Sequence, residues 1–293
     1  MWEKKGLLIE PQNKLWWMQT HAMLPTPVQV GEDDYRIYFS GRDIDNTSHI
    51  GFASVRVFPN SIQVIRFSKD PVFSPGKRGC FDDNGVTPSC IIENNLYYIG
   101  WNSGTTTTRM SLVMGLADAT TFERYSRAPL FTRTDREPFN ILTAPFVMKD
   151  GELYKMWYVS GEGWRTKDLP IYNIKYATST DGKNWTRSGH VAIDLFDNET
   201  ALARPCVIKE GSTYEMFFSY KDPSIGYRIG TAISNDGLSW ERQDKKVLDP
   251  SFSGWDSKMV EYTYVFKHKN KRYMLYNGNG YGQTGIGYAI EEA

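Results

Sequence analysis

Five acidic side chains of this sequence stand where they could act together on one bond. Asp82 and Asp83 lie side by side in Phe81-Asp82-Asp83-Asn84-Gly85-Val86, Glu261 stands near the C-terminus, and Asp43 and Asp256 occupy comparable places. Two carboxylates flanking a bond serve as acid and base when their surroundings hold one protonated and the other ionised. Arg204 adds a planar guanidinium that can keep a neighbouring carboxylate ionised and hold an anionic group in its fork. His21, Arg42, Trp101, Trp255, Asn277 and Asn279 complete the candidate set, with Thr143, Glu162, Trp164, Lys221 and Asp222 near them. Only a chain that returns repeatedly to one place can assemble residues this far apart.

The sequence does return. An aromatic-rich run recurs as Arg36-Ile37-Tyr38-Phe39-Ser40, Leu96-Tyr97-Tyr98-Ile99-Gly100, Lys155-Met156-Trp157-Tyr158-Val159, Glu215-Met216-Phe217-Phe218-Ser219 and Arg272-Tyr273-Met274-Leu275-Tyr276. With Tyr38, Tyr98, Tyr158, Phe218 and Tyr276 as equivalents, the spacings are 60, 60, 60 and 58. Such a period marks units that bury their apolar faces only by stacking on neighbours.

Each unit has the same parts. A strand opens on a proline (Pro27, Pro88, Pro145, Pro205, with Thr263 in the fifth place), which suits a residue without an N–H. A polar turn and the aromatic strand follow. A third strand carries small residues at Gly51, Gly115, Ala177, Gly230 and Gly287, and two of these strands run into Asp181-Gly182 and Asp236-Gly237 turns. Fourth strands are expected at Pro71-Val72-Phe73, Pro129-Leu130-Phe131, His190-Val191-Ala192 and Lys246-Val247-Leu248. The fifth unit lacks one, and Gly6-Leu7-Leu8-Ile9-Glu10-Pro11 is the spare. The pattern predicts an all-β chain, a single five-bladed β-propeller over 1–293. Its repeats span approximately 12–75, 76–135, 136–194, 195–250 and 251–293 plus 1–11, and the N-terminal strand closes the ring on the last blade. The inner strands of such a ring begin at one funnel, which brings His21, Asp82, Asp83, Thr143, Arg204 and Glu261 together.

Composition narrows the partners. The 34 basic and 34 acidic residues balance, which argues against nucleic acid or an anionic membrane surface. No run is long enough to span a bilayer, so no membrane insertion is expected. The N-terminus lacks a signal-peptide pattern, and Cys80, Cys90 and Cys206 read as reduced thiols, so a cytoplasmic protein is expected. The four histidines are too scattered for metal-ligand spacing, so neither a metal nor a cofactor is expected, a channel-bound ion near His21 being the exception considered. No Ser-His-Asp constellation is visible. Gly280-Tyr281-Gly282-Gln283-Thr284-Gly285 fits G-x-G-x-x-G, but a strand follows it instead of a helix that would hold a pyrophosphate. Oligomeric state is left open.

The chain resembles the five-bladed β-propeller glycosidase superfamily, which includes arabinanases, β-xylosidases, invertases, levansucrases and mannoside phosphorylases. Within it the sequence is most similar to members encoded among bacterial surface-polysaccharide genes. The resemblance is carried by the five-fold repeat and by Arg36-Ile37-Tyr38-Phe39-Ser40-Gly41-Arg42-Asp43, Phe81-Asp82-Asp83-Asn84-Gly85-Val86, Ala203-Arg204-Pro205, Ser253-Gly254-Trp255-Asp256 and Tyr276-Asn277-Gly278-Asn279-Gly280-Tyr281-Gly282. It implies cleavage or transfer of a glycosidic bond in an oligosaccharide or sugar nucleotide. Asp83, with Asp82, and Glu261 would do the acid–base work. Arg204 would hold an anionic group, Trp101 and Trp255 would stack on sugar rings, and His21, Arg42, Asp43, Asp256, Asn277 and Asn279 would bind substrate.

Two positions depart from the superfamily pattern. His21-Ala22-Met23-Leu24-Pro25 stands where its members place a base or nucleophile, and Thr143 where many carry a carboxylate. The alternative is therefore a propeller that binds a glycan or sugar nucleotide without turning it over. Asp82-Asp83 also fits a turn, and Glu261 also fits a partner of Lys258 or Arg204.

Overall fold

The structure, a computed structural model, describes residues 1–104, 110–243 and 247–292. The chain opens with β1 (Trp2–Ile9). The first antiparallel group follows: β2 (Ala22–Gln29), β3 (Asp34–Arg42), β4 (Ser48–Phe58) and β5 (Ser61–Phe67). The second contains β6 (Gly85–Ile92), β7 (Asn95–Asn102) and β8 (Ser111–Asp118), and the third β9 (Ile141–Asp150), β10 (Leu153–Thr166), β11 (Leu169–Ser179) and β12 (Thr186–Ile193). The fourth contains β13 (Ala201–Glu210), β14 (Thr213–Asp222), β15 (Gly226–Ser234) and β16 (Glu241–Gln243). The last contains β17 (Glu261–His268), β18 (Lys271–Asn277) and β19 (Ile286–Glu291), with a four-residue turn α1 (Asn279–Gly282) between the latter two. Two residues of α1, Gly280 and Tyr281, have left-handed backbones, so it is a turn and not a helix. β1 pairs antiparallel with β19.

Within each group the first strand packs against the first strand of the next: β2 on β6, β6 on β9, β9 on β13, β13 on β17, and β17 back on β2. Third strands reach across to the following first strand through short parallel pairings, Ser48 with Gly85, Leu112 with Ile141 and Tyr172 with Ala201. These pairings gather the starts of the first strands at one end of the molecule.

The period of small residues in the third strands has a steric cause. A Cβ on Gly51 would lie 2.2 Å from Trp17, on Gly115 2.2 Å from Tyr98, on Gly230 2.9 Å from Phe218 and on Gly287 2.1 Å from Trp255. Each glycine is the floor on which a large ring rests.

Every first strand carries one extra residue relative to its partner, just inside its start. This places Met23, Thr87, Thr143, Ala203 and Glu261 opposite Ser40, Ile99, Val159, Ser219 and Asn277. In four strands the next residue is left-handed without being glycine: Leu24 (φ 55°), Ala144 (46°), Arg204 (52°) and Tyr262 (53°). Such residues cost about 1–3 kcal/mol each and persist where the surroundings over-determine them. The fifth equivalent is Pro88, whose ring forbids positive φ.

The observed register shifts the first repeat. Pro25, not Pro27, stands where Pro145 and Pro205 stand, and Phe39, not Tyr38, matches Tyr98 and Tyr158. Two prolines and two adjacent aromatics competed for one place in the pattern. Outer strands also begin earlier than expected: β5 precedes Pro71-Val72-Phe73, where Phe73 still bridges Ile50 of β4. In the second group the Ala117–Arg124 bridge comes ahead of Pro129, where the Leu130 N–H still bonds the Met114 carbonyl of β8. β16 ends at Gln243, and Lys246 lies outside the described residues. No helix among the described residues is long and apolar enough to cross a membrane.

Candidate ligand-binding cavity

A cavity of about 360 Å³ opens where the first strands begin. Met23 and Leu24 line it from β2, Thr87 from β6, Thr143 and Ala144 from β9, Ala203 and Arg204 from β13, and Tyr262 from β17. Second strands return to the same place and add Arg42, Ile99, Trp101, Val159 and Lys221.

The charged lining is unbalanced toward cations. Arg42 donates to Asn46 Oδ1 at 2.8 Å and lies 6.0 Å from the centre of the Trp101 ring, while its buried Nε has no partner. Lys221 Nζ lies 3.2 Å from the Tyr281 hydroxyl and close to the Tyr227 ring. Arg204 is fully buried at the base; it donates to the Pro88 carbonyl (2.8 Å), the Pro25 carbonyl (2.9 Å) and Thr26 Oγ1 (2.9 Å), and its Nε is unpartnered. Its left-handed backbone turns the side chain across the ring, tying β13 to β6 and β2. No carboxylate pairs with it among the described contacts, and burial draws its guanidinium down to about 10. Among the described residues, the one lining carboxylate is the exposed Asp168, 3.5 Å from Lys167.

One wall is phenolic. The Tyr172 and Tyr227 hydroxyls are 2.8 Å apart, and Tyr262 and Tyr281 stack with ring centres 6.5 Å apart. Burial pushes Tyr172 up to about 12, and Tyr227 and Tyr262 well above their ordinary value, so all three keep their protons. Sequence reasoning named Lys221 but missed these four tyrosines, which belong to no charge or spacing motif.

Glu261 lies behind this wall, outside the cavity lining, and opposite Asn277. Burial raises its carboxyl far above the usual carboxylate range, against the opposing pull of Lys221 and of the Tyr281 backbone N–H. That N–H falls short of full hydrogen-bond geometry: both Glu261 oxygens, together with Asn277 Nδ2 and Thr263 Oγ1, are buried without partners. Asn277 Oδ1 accepts the Leu24 N–H at 3.1 Å.

The other expected acids turn away from the cavity. Asp82 pairs with Arg124 at 2.8 Å and accepts the Tyr98 hydroxyl at 3.1 Å. Asp256 pairs with Lys4 at 2.6 Å and accepts the Tyr276 hydroxyl at 3.1 Å. Two further acids repeat the arrangement: Glu137 binds Arg187 (2.7 Å) and the Tyr158 hydroxyl (2.8 Å), and Glu199 grips Arg242, which lies over Phe218. In four groups, then, an acid before the first strand clasps a base on the outer edge, over the aromatic residue of the second strand. Asp82 and Asp256 thereby join these clasps within their strand groups and lie outside the cavity lining. A recurring base on the outer strands (Arg124, Arg187, Arg242, Lys4) was the available sequence signal.

The remaining candidates support loops. Asp83 accepts the Gly79 N–H (2.7 Å) and Asn102 Nδ2 (2.6 Å). Asn279 accepts the Lys258 N–H at 2.7 Å and donates to Gly254. Trp255 packs on Tyr276 and over Gly287, and Trp164 sits edge-on to Phe139. His21 is drawn down to about 4 by burial and by Arg42, and shares a hydrogen bond with Thr20 Oγ1. Asp43 forms a chain that the sequence concealed: its Oδ2 lies 3.0 Å from His49 Nε2, and His49 Nδ1 lies 3.1 Å from Ser74 Oγ. This Ser-His-Asp chain lies outside the cavity lining and pins the β3–β4 hairpin to the segment carrying Phe73. Among the described residues, no three His, Cys, Asp or Glu side chains gather as a metal-holding group.

The architecture is that of the β-propeller glycoside hydrolases. One glycoside hydrolase matches with a TM-score of 0.73 at 20% sequence identity, covering 99% of this chain and 91% of that one. A thermostable family-43 glycoside hydrolase gives 0.66 at 15% identity, over 93% and 89%. The α-L-arabinofuranosidase PaAbf62A from Podospora anserina, in complex with cellotriose, gives 0.64 at 10% identity, over 100% and 96%. By sequence, the chain belongs to the family of the uncharacterized Mycobacterium tuberculosis proteins MT1551 (strain CDC 1551 / Oshkosh) and Rv1502 (strain ATCC 25618 / H37Rv). It is 39% identical to each over 301 residues, 99% of either chain. No protein-family profile matches.

Proposed function

We propose that the five groups form a five-bladed propeller closed by β1, and that its cavity binds a carbohydrate bearing an anionic group: a uronic acid, a sugar phosphate or the sugar end of a sugar nucleotide. The cation excess of the lining carries this reading, with Arg42, Lys221 and Arg204 against Asp168 among the described residues. Guanidinium and ammonium groups in a partly desolvated cleft favour carboxylate or phosphate, and Trp101 and the tyrosines offer faces for a sugar ring. That a fold match was solved in complex with cellotriose supports carbohydrate as the ligand class. Calorimetry tests it. Anionic sugars should bind at least tenfold more tightly than neutral oligosaccharides, and Arg42→Ala or Lys221→Ala should each erase about tenfold. Equal affinity for neutral and anionic sugars would sink the reading.

The second reading is an enzyme of glycosidase type, favoured by one observation, the raised carboxyl of Glu261. A carboxyl that holds its proton above the usual carboxylate range suits a general acid. Tyr262 and Tyr281 separate it from the cavity, so this chemistry requires the α1 turn to shift. Product analysis decides: turnover that Glu261→Gln abolishes without loss of binding marks the enzyme, and binding without turnover marks a recognition module.

A further inference from the structure

Part of the cavity lining is aliphatic, with Tyr172 and Tyr262 packed against it. Met23, Leu24, Ile99, Ile141 and Val159 form one apolar cluster with Leu112 packed on it, and all six line the cavity. They come from β2, β7, β8, β9 and β10, whose paired residues spend their backbone groups on the ladders, and the bulged Leu24 gives its N–H to Asn277 Oδ1. A sugar hydroxyl pressed on this wall would give up water for no partner, a loss on the scale of an unmade hydrogen bond. Thr87 and Thr143 interrupt the wall; Thr143 lines the cavity, is 5% exposed, and its Oγ1 is buried with no partner.

An unpartnered hydroxyl beside an aliphatic wall matches a short acyl group, which presents one carbonyl oxygen and a methyl. Resting on the anionic-carbohydrate reading, we infer that the ligand is an acylated sugar, an N-acetyl sugar in the simplest case. Its carbonyl accepts from the Thr143 hydroxyl, its methyl lies on Leu112, Ile141 and Val159, and its anionic group faces Arg42 and Lys221. The wall discriminates by exclusion as well as attraction, because a bare hydroxyl at the same place leaves both itself and Thr143 unpartnered.

Calorimetry with matched pairs tests the inference: the N-acetylglucosamine, N-acetylgalactosamine and N-acetylmannosamine 1-phosphates against glucose, galactose and mannose 1-phosphates. At least one acetylated sugar should bind tenfold or more tightly than its parent. Thr143→Val, equal in shape and lacking only an unpartnered hydroxyl, should keep the fold and cut that preference severalfold. Leu112→Asn, at a half-buried position, should narrow it from the methyl side. If parent and acetylated phosphates bind equally while Arg42→Ala weakens both, the acyl inference fails and the anionic site stands. If no member of the panel binds, both fail together. A preference that survives Thr143→Val and Leu112→Asn unchanged places the acyl group elsewhere and overturns the assignment.

Discussion

The Lys4 ammonium lies 2.6 Å from an Asp256 carboxylate oxygen, joining the first strand of the chain to the loop before β17 across 252 residues. Asp256 is buried, so losing its counter-ion leaves a charge with only the Tyr276 hydroxyl. Lys4→Met should cost about 3 kcal/mol, a fall in Tm of roughly 6–12 °C. Adding Asp256→Asn should recover much of it, because the stranded charge is then gone. Thermal melts of the two single variants and the double check this, and a Lys4→Met protein melting with the parent would contradict it. Deleting residues 1–10 should lower Tm further, since β19 then loses its outer neighbour.

Glu261 makes a pH-dependent prediction. Its carboxyl is raised in the folded chain, so the unfolded chain binds fewer protons above about pH 4.3 and stability declines as pH rises from there toward the folded pKa. Glu261→Gln removes this liability. The variant should melt above the parent at pH 7–8, with the gap closing below about pH 4.5. A constant gap across the range would show that the carboxyl does not titrate as described.

His21 acts with the opposite sign. Its folded pKa of about 4 lies below the ordinary histidine value, so the unfolded chain binds more protons between the two and stability is lost as pH falls through that window. His21→Gln should flatten the acid side of the profile between about pH 6.5 and 4. Half-exposure of the ring keeps the effect modest. Melting curves across that range suffice to test it.

The acids separate by role. Asp82→Asn should lower Tm, because Arg124 and Tyr98 lose a buried partner, and should leave the affinity of the isolated cavity for anionic sugars within about twofold. Asp83→Asn should likewise leave affinity unchanged. Arg42→Ala should do the reverse, losing affinity with little change in Tm. Loss of affinity in Asp83→Asn with an intact fold would return that residue to the site.

Much of the fold was legible because stacking units must repeat their apolar pattern, and the ring residues followed from the period. Side-chain direction was not legible. Asp82 and Asp256 were found at the right end of their strands, but the bases that claim them, Arg124 and Lys4, lie 42 residues downstream and at the opposite terminus. Glu137 and Glu199 do the same work and drew no attention, having no neighbouring acid to suggest chemistry. Tyr172, Tyr227, Tyr262 and Tyr281 looked like strand aromatics among 18 tyrosines; only their convergence sets them apart. Arg204 lines the cavity, while its grip on Pro25, Thr26 and Pro88 goes with a left-handed backbone that no residue type announced.

Those left-handed residues have a consequence for how the cavity can change. An ordinary strand shows a ligand every second side chain and hides the rest in the sheet. Here Met23 and Leu24, Thr143 and Ala144, and Ala203 and Arg204 face the same space as consecutive pairs. These three inner strands thus each offer two adjacent codons to selection, one still bound by sheet pairing and one released from it. A lineage can rewrite what this ring recognises while the scaffold's spelling stays the same.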